Sequence, residues 1–297
     1  MIICIVGPTG IGKSKLAINV CKSIHGEIIN GDAFQIYKGM DIGTAKPTIE
    51  ERSIVPHHLF DYVEPTYSFS VFDYQTNLRN KIKELEDKKV PIVVCGGTGM
   101  YLKAGFYDFD LKKQESTYDM SRFNDLSNED LHKELEKVDF EESKKIHMNN
   151  RKRVLRALEI YFTSGQKKSE IVDAQLHKPI YDVVFVGLNK DRELLYDIIN
   201  KRVDKMFELG LLEEVKHLME IYPHNLRAFQ AIGYKEIIDG LNNNVPLEDI
   251  KELIKKNSRN YAKRQMTYFK HQMDVNWFNS VEEAYDFIIN KFKEKGE

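Results

Sequence analysis

The chain has 297 residues, with 44 Lys and Arg against 46 Asp and Glu and a formal net charge of −2. This length leaves room for one large or two ordinary domains around a substantial core. A content of 42% hydrophobic and 30% charged residues excludes a disordered chain, no apolar run reaches transmembrane length, and the near-neutral balance excludes a global basic field for nucleic acid. Any nucleic-acid surface must therefore be local. Cys4, Cys21 and Cys95 lie in or beside apolar stretches without C-x-x-C spacing. They read as reduced core residues of a cytoplasmic protein, not as a zinc site or disulfide frame.

Ile2, Ile3, Cys4, Ile5 and Val6 form a short, β-branched apolar run that predicts a buried strand. Gly7-Pro8-Thr9-Gly10-Ile11-Gly12-Lys13-Ser14 follows at once and fits the phosphate-loop pattern G-x-x-x-x-G-K-[ST]. Leu16, Ala17, Val20 and Ile24 then predict a helix, completing the strand, loop and helix context the motif needs. Backbone N–H groups freed by the glycines, the helix N-terminus and Lys13 would hold phosphate oxygens, with Ser14 placed to ligate magnesium. The blander alternative is a glycine-rich turn before an ordinary helix, and the surrounding pattern disfavours it. The N-terminus is thus expected to be strand plus phosphate loop and not a signal peptide.

Glu27–Asn30 predicts a second strand, ending in Gly31-Asp32-Ala33-Phe34-Gln35. In an open parallel sheet such a strand end lies beside the phosphate loop, so Asp32 is a candidate for chemistry, although an Asp there is more often a turn former. Met40–Pro47 reads as a loop rich in turn formers. His57 and His58 point in different directions on any regular element and read as structural or as groups lining the site. Ser68–Asp87 predicts an amphipathic helix and Pro91–Cys95 a third buried strand. That strand ends in Gly96-Gly97-Thr98-Gly99, without the acid that usually organises magnesium in phosphate-loop ATPases.

Residues 109–143 are polar, with Leu126, Leu131 and Leu135 as anchors, and read as a small helical insertion; 1–108 and 144–297 form the core. Arg151-Lys152-Arg153-Val154-Leu155-Arg156 opens a helix with four basic residues in six positions, either a solvated face or a phosphate-contact patch. Tyr181–Leu188 predicts a fourth strand, and Glu193–Leu209 and Leu211–Ile221 two helices broken at Gly210. Ile250–Lys270 predicts a long helix with Leu253, Ile254, Tyr261, Ala262, Met266 and Phe269 on its apolar face and a second basic patch opposite. A short strand at Val275–Phe278 and a helix from Val281 close the chain. These residues suit an enzyme joining a phosphorylated donor to a nucleic acid, and equally a nucleotide kinase.

Eight blocks in order narrow this reading: GPTGIGKS, GDAFQIYKGMDIGTAKP, PHHLFD, GGTGMYLKAG, RKRVLRALEIY, GLLEEV, AIGYKE and AKRQMTYFKHQ. Together they closely resemble the tRNA dimethylallyltransferase family, from residue 2 to about 278. The resemblance implies a parallel α/β core like that of phosphate-loop NTPases, with helices on both faces and an insertion contacting the anticodon stem-loop. It implies transfer of a dimethylallyl group from its diphosphate to N6 of the adenosine 3′ of the anticodon, in tRNAs reading codons that begin with U. By the same resemblance Gly7, Pro8, Thr9, Gly10, Ile11, Gly12, Lys13 and Ser14 bind the donor diphosphate, Ser14 with Mg2+. Asp32 accepts the N6 proton, Thr98 touches the target nucleotide, and Arg202 and Lys13 face the departing diphosphate. The implied tRNA contacts are Asp32, Ala33, Phe34, Gln35, Thr98, Arg122, Lys152, Arg153, Val154, Leu155, Arg156, Gln230, Ala231, Ile232, Gly233, Tyr234, Lys235, Lys263, Arg264, Gln265 and Lys270. The chain departs from the family pattern at Ser14, where threonine is usual, at Ile198 and Lys270, where arginine is common, and at Phe140, where a proline often follows Asp. No cysteine-histidine zinc finger follows the core, so the chain resembles the bacterial form; a cytoplasmic protein and a monomer are expected.

Overall fold

Ile2–Val6 form β1, buried along its whole length, as the unbroken apolar run requires. The computed structural model describes residues 1–109, 111, 118–173 and 178–296. After β1 come α1 (Lys13–Ile24), β2 (Glu27–Asn30), α2 (Ile49–Ile54), β3 (His57–His58), α3 (Val71–Asp87), β4 (Ile92–Cys95) and α4 (Gly99–Phe106). Next are α5 (Asn128–Val138), α6 (Phe140–Lys145), α7 (Arg151–Ser164) and α8 (Lys168–Asp173). The chain closes with β5 (Val183–Leu188), α9 (Arg192–Glu208), α10 (Leu211–Ile221), α11 (Tyr234–Asn242), α12 (Leu247–Gln272), β6 (Val275–Phe278) and α13 (Val281–Lys295).

The strands form one parallel sheet in the order β3-β2-β4-β1-β5-β6. Central β1 pairs Ile3 with Val93 on one side and with Val184 on the other. From β1 the chain first passes over the place later filled by β4, and afterwards returns to the opposite side at β5. The C-terminal edge beside β1 is thus a topological switch point, where open α/β sheets bind ligands. Apolar faces of α1 and α13 cover the sheet through Leu16, Val20, Ile288 and Phe292.

Two compact units emerge, Met1–Tyr107 with Pro179–Glu297, and Asp108–Lys178. The second is wider than the expected insertion at 109–143, of which positions 110 and 112–117 lie outside the described residues. It is wider because α7 belongs to its core: Val154, Ala157 and Leu158 bury against Phe123, Leu131 and Leu135. Arg151 reinforces this by donating to the carbonyls of Phe123, Asn124 and Leu126 at 2.7–2.8 Å.

Two elements differ from expectation. The Met40–Pro47 loop leads into α2, whose Thr48/Glu51 capping box was hidden in a segment with no buried stripe. His57 and His58 form the edge strand β3; His57 Nδ1 faces Val55 O at 2.7 Å and His58 Nε2 pairs with Glu27 at 2.5 Å. Their role is structural. Among the described residues no helix is long and apolar enough to cross a membrane.

Candidate active site

Three strand ends converge at the switch point. Gly7, Gly10 and Gly12 all take positive φ, so the loop after β1 can bend tightly enough to present backbone N–H groups at the start of α1. Lys13 Nζ donates to Pro8 O at 2.6 Å, across the loop it follows. Beside it, Gly31 after β2 and Gly96 after β4 approach so closely that a Cβ on Gly96 would lie 2.1 Å from the Gly31 backbone. This contact brings the Asp32 turn against the Gly96–Gly99 turn.

Asp32 is held by its neighbours. Fully buried Asn30 accepts from Asp32 N at 2.8 Å and donates to Asp32 O and Leu59 O, both at 3.0 Å. The Asp32 carboxylate accepts from Phe34 N at 2.9 Å. Thr98, at the start of α4, accepts from Ala33 N at 3.0 Å through Oγ1, which fixes its side chain against the same turn. Gln35 Nε2 donates to the Thr44 and Ala45 carbonyls at 3.0 Å. Phe34 and Gln35 therefore form one wall of the cavity with the 41–47 loop.

The cavity measures about 1170 Å³ and is lined by Thr9–Ser14, Asp32, Phe34, Gln35, Gly96, Arg202 and Tyr261, among others. Arg202 reaches it from α9; a Cβ on Gly10 would lie 3.7 Å from Arg202 Cδ and 3.3 Å from Ile198 Cγ2. Ile198, standing where the family commonly has arginine, thus contributes an apolar contact at the loop apex. Burial pulls the Lys13 pKa down to about 8, helped by Arg202 and opposed by Asp32 and Cys95. Burial likewise lowers Arg202 against the attraction of Asp32. Asp32 is pushed above its ordinary value by burial, which outweighs the amides of Phe34 and Gln35 and the charges of Lys13 and Arg202. At the end of β4, where an ATPase would carry an acid, burial raises the Cys95 thiol to about 11, so it stays neutral.

The sequence-derived contact residues divide sharply. Lys152, Arg153, Arg156, Gln230, Lys235, Lys263, Arg264 and Lys270 are exposed. Arg156 pairs with Glu159 at 2.6 Å. Arg122 stacks against the Phe123 and Phe162 rings at 4.5 and 4.4 Å within the second unit. Val154, Ala231 and Tyr234 are buried, Ala231 at the cavity lining, and partly buried Leu155 packs on the Val154 core. Gly233 offers no side chain; its positive φ starts α11. Ile232 lines the cavity with Gln230.

Gln265 departs most from expectation. It sits on the basic helix α12, yet its amide is buried: Oε1 accepts from Thr9 N at 3.2 Å and Nε2 donates to Gly97 O at 2.9 Å. It staples the phosphate loop to the glycine turn after β4. Tyr261, one turn earlier, faces Thr98 and Gln265 and enters the cavity. Helical spacing alone placed Tyr261 on an apolar face and missed this; Asn30, a buried polar residue two before Asp32, left only that spacing as a signal. Leu253, expected to be buried, is exposed: near the start of α12 the inward-facing positions are Ile250 and Ile254.

The profile of the family described as IPP transferase matches residues 35–272. The chain is 46% identical over 282 residues to the tRNA dimethylallyltransferase of Bacillus mycoides (strain KBAB4), covering 93% of this chain and 88% of that protein. It is 44% identical over 305 residues to the one from Bacillus pumilus (strain SAFR-032), covering 98% and 96%. Among solved structures, the tRNA delta(2)-isopentenylpyrophosphate transferase from Staphylococcus epidermidis matches with a TM-score of 0.74 at 39% identity over 99% of each chain. A eukaryotic dimethylallyltransferase acting on tRNA matches with a TM-score of 0.82 at 30% identity, over 97% of this chain and 79% of the other. Extent and identity agree across sequence and fold: the chain belongs to the IPP transferase family.

Proposed function

We propose that the chain transfers the dimethylallyl group of dimethylallyl diphosphate to N6 of the adenosine 3′ of the anticodon, in tRNAs reading codons that begin with U, releasing diphosphate. The observation that carries this reading is the meeting of desolvated Lys13 and Arg202 with a carboxylate of raised pKa, Asp32, in one cavity at the switch point. The bond from the prenyl carbon to the diphosphate oxygen breaks while a bond from N6 forms. Lys13, Arg202 and the Gly10–Lys13 backbone meet the charge that grows on the departing diphosphate. The N6 proton passes to Asp32, whose raised pKa makes it a better base than an exposed aspartate and whose position is fixed by Asn30 and Phe34. An exocyclic amine is a weak nucleophile, so removing this proton as attack proceeds keeps cationic charge off nitrogen.

Magnesium belongs to the same proposal. Ser14 and Asp32 give the cavity hard oxygen donors, and no cluster of three or more His, Cys, Asp or Glu forms a protein-only cage among the described residues. This donor set fits Mg2+, which commonly takes one or two protein oxygens and completes its shell with phosphate and water. Ser14 would hold it; when bound, it adds positive charge at the diphosphate oxygens.

For the second substrate, Thr98, Gln35 and Tyr261 are proposed to border the extruded adenine, which is cheaper to unstack from a loop than from a duplex. Exposed Lys263, Arg264 and Lys270 on α12, and Lys152 and Arg153 on α7, are proposed to grip the RNA backbone. Arg122 joins them as a stacked cation. The proposed setting is the cytoplasm, where buried Cys4, Cys21 and Cys95 stay reduced, with the protein acting as a monomer. Incubation with magnesium, unmodified tRNA and dimethylallyl diphosphate is expected to add one dimethylallyl mass to the anticodon-loop adenosine. Absence of that increment together with ATP turnover would replace this reading with a kinase.

A further inference from the structure

Three motifs lie outside the chemistry just described: DIGTAK at 41–46, GLLEEV at 210–215 and AIGYKE at 231–236. In the fold they meet at one carboxylate. Glu214 on α10 accepts from Asp41 N at 3.0 Å, Ile42 N at 2.8 Å and Gly43 N at 3.3 Å, and from the Tyr234 hydroxyl at 2.5 Å. Gly43 lies so close to the Tyr234 ring that a Cβ there would fall 2.4 Å from Cε2. The far side of the loop is fixed by Lys46, whose buried ammonium pairs with Asp41 at 2.6 Å and Asp61 at 2.7 Å and donates to Tyr37 O at 2.7 Å.

We infer that Glu214 is a positioning residue for the transfer reaction, setting the cavity wall 41–47 and, through it, the Asp32–Gln35 turn. The route is continuous. Glu214 holds the N–H groups of 41–43, and the carbonyls of Thr44 and Ala45 in the same loop hold the Gln35 amide. Gln35 adjoins Phe34, whose backbone N–H holds the Asp32 carboxylate at 2.9 Å. A carboxylate suits this place because it can accept four hydrogen bonds, whereas a neutral amide has a single oxygen to share. Tyr234, fully buried, presses on Gly43 and completes the clamp. The phosphate loop's own side-chain hydrogen bonds run to Gln265 and within the loop, not to Glu214 or the 41–43 amides, so its grip on the donor is expected to be independent of Glu214.

The catalytic half of this inference rests on the proposed prenyl transfer; the structural half does not, and the test separates them. In Glu214→Gln, amide hydrogen exchange at 41–43 should quicken at least tenfold and rise across 33–47, with residues 7–14 unchanged. Turnover on tRNA should fall at least tenfold, while the Kd for dimethylallyl diphosphate changes less than twofold. Tyr234→Phe keeps the three amide bonds and should show a loss of less than half that size on a logarithmic scale. Wild-type exchange rates at 41–43 in Glu214→Gln would overturn the clamp. Faster exchange with unchanged turnover per folded molecule would overturn the positioning role, as would a Kd that weakens in step with turnover. A wild-type chain that forms no prenylated tRNA would sink the proposed function instead, leaving the exchange measurement to decide the clamp.

Discussion

The same residue types occupy two different settings in this molecule. Lys13 and Arg202 lie in the cavity, where burial depresses both pKa values and a carboxylate opposes them. Lys263, Arg264 and Lys270 stand exposed along α12. A cation stripped of water acts strongly on charge that develops beside it, because the local dielectric is low. A solvated cation gives long-range attraction that salt screens within about 8 Å at physiological ionic strength. The first kind suits a leaving group and the second an RNA backbone. Gln265 stands on the boundary, carried by the exposed helix but buried between the phosphate loop and the glycine turn after β4.

The sharpest break in this comparison comes from the group facing the buried cations. Asp32→Asn should lower the single-turnover rate by about 10²–10⁴, the usual worth of a positioned base, while leaving donor and tRNA binding within a few-fold. Near-normal turnover would remove Asp32 from proton transfer. Lys13→Met or Arg202→Met should cost about 10²–10³ in turnover, comparable with losing a donor to developing oxyanion charge. Lys13→Met should also melt at the same or a higher temperature, since it deletes a desolvated ammonium; a large drop in Tm would make Lys13 structural.

Gln265→Leu leaves Thr9 N–H and Gly97 C=O without their partner, a cost of about 1–3 kcal/mol for each buried group left unpaired. It should lower turnover about tenfold without altering the salt dependence of tRNA binding, placing it with the cavity and not with its own helix. An altered salt slope would return it to the RNA surface. For pH, Lys13 is protonated below its pKa of about 8 and neutral above it. The profile of kcat/KM should therefore fall above pH about 8 as the loop loses its charge. It should also fall on the acid side, at a pH above the ordinary aspartate value, as Asp32 takes up a proton. A flat profile from pH 7 to 9.5 would contradict the basic limb.

The smallest effect belongs to the exposed face. Replacing Lys263 and Lys270 with Ala should weaken tRNA binding only several-fold at low salt and reduce the slope of log K against log salt by about 1–2. Chemistry on bound tRNA should be unchanged. A loss of single-turnover rate at saturating tRNA would blur the division between the two sets of cations.

The parallel core, the phosphate loop and the candidate base could be read along the chain, because each rests on local rules. Buried parallel strands are apolar runs, a phosphate loop needs glycines at fixed spacing, and the loop must open a helix. Asp32 could be named a candidate, and only the tertiary structure showed the Asn30, Thr98 and Gly31–Gly96 contacts that hold its turn at the cavity. Tertiary structure alone decided which residues of each motif are buried and which line the cavity. Val154 and Tyr234 sit in motifs implied to touch RNA and are buried, while Gln265 turns inward from a basic stretch. Glu214 and the 41–43 amides are far apart in sequence, and nothing local joins them. Helical periodicity reports one face of one element, whereas a side chain's partner depends on which other element packs there, and that is fixed only when the whole chain folds.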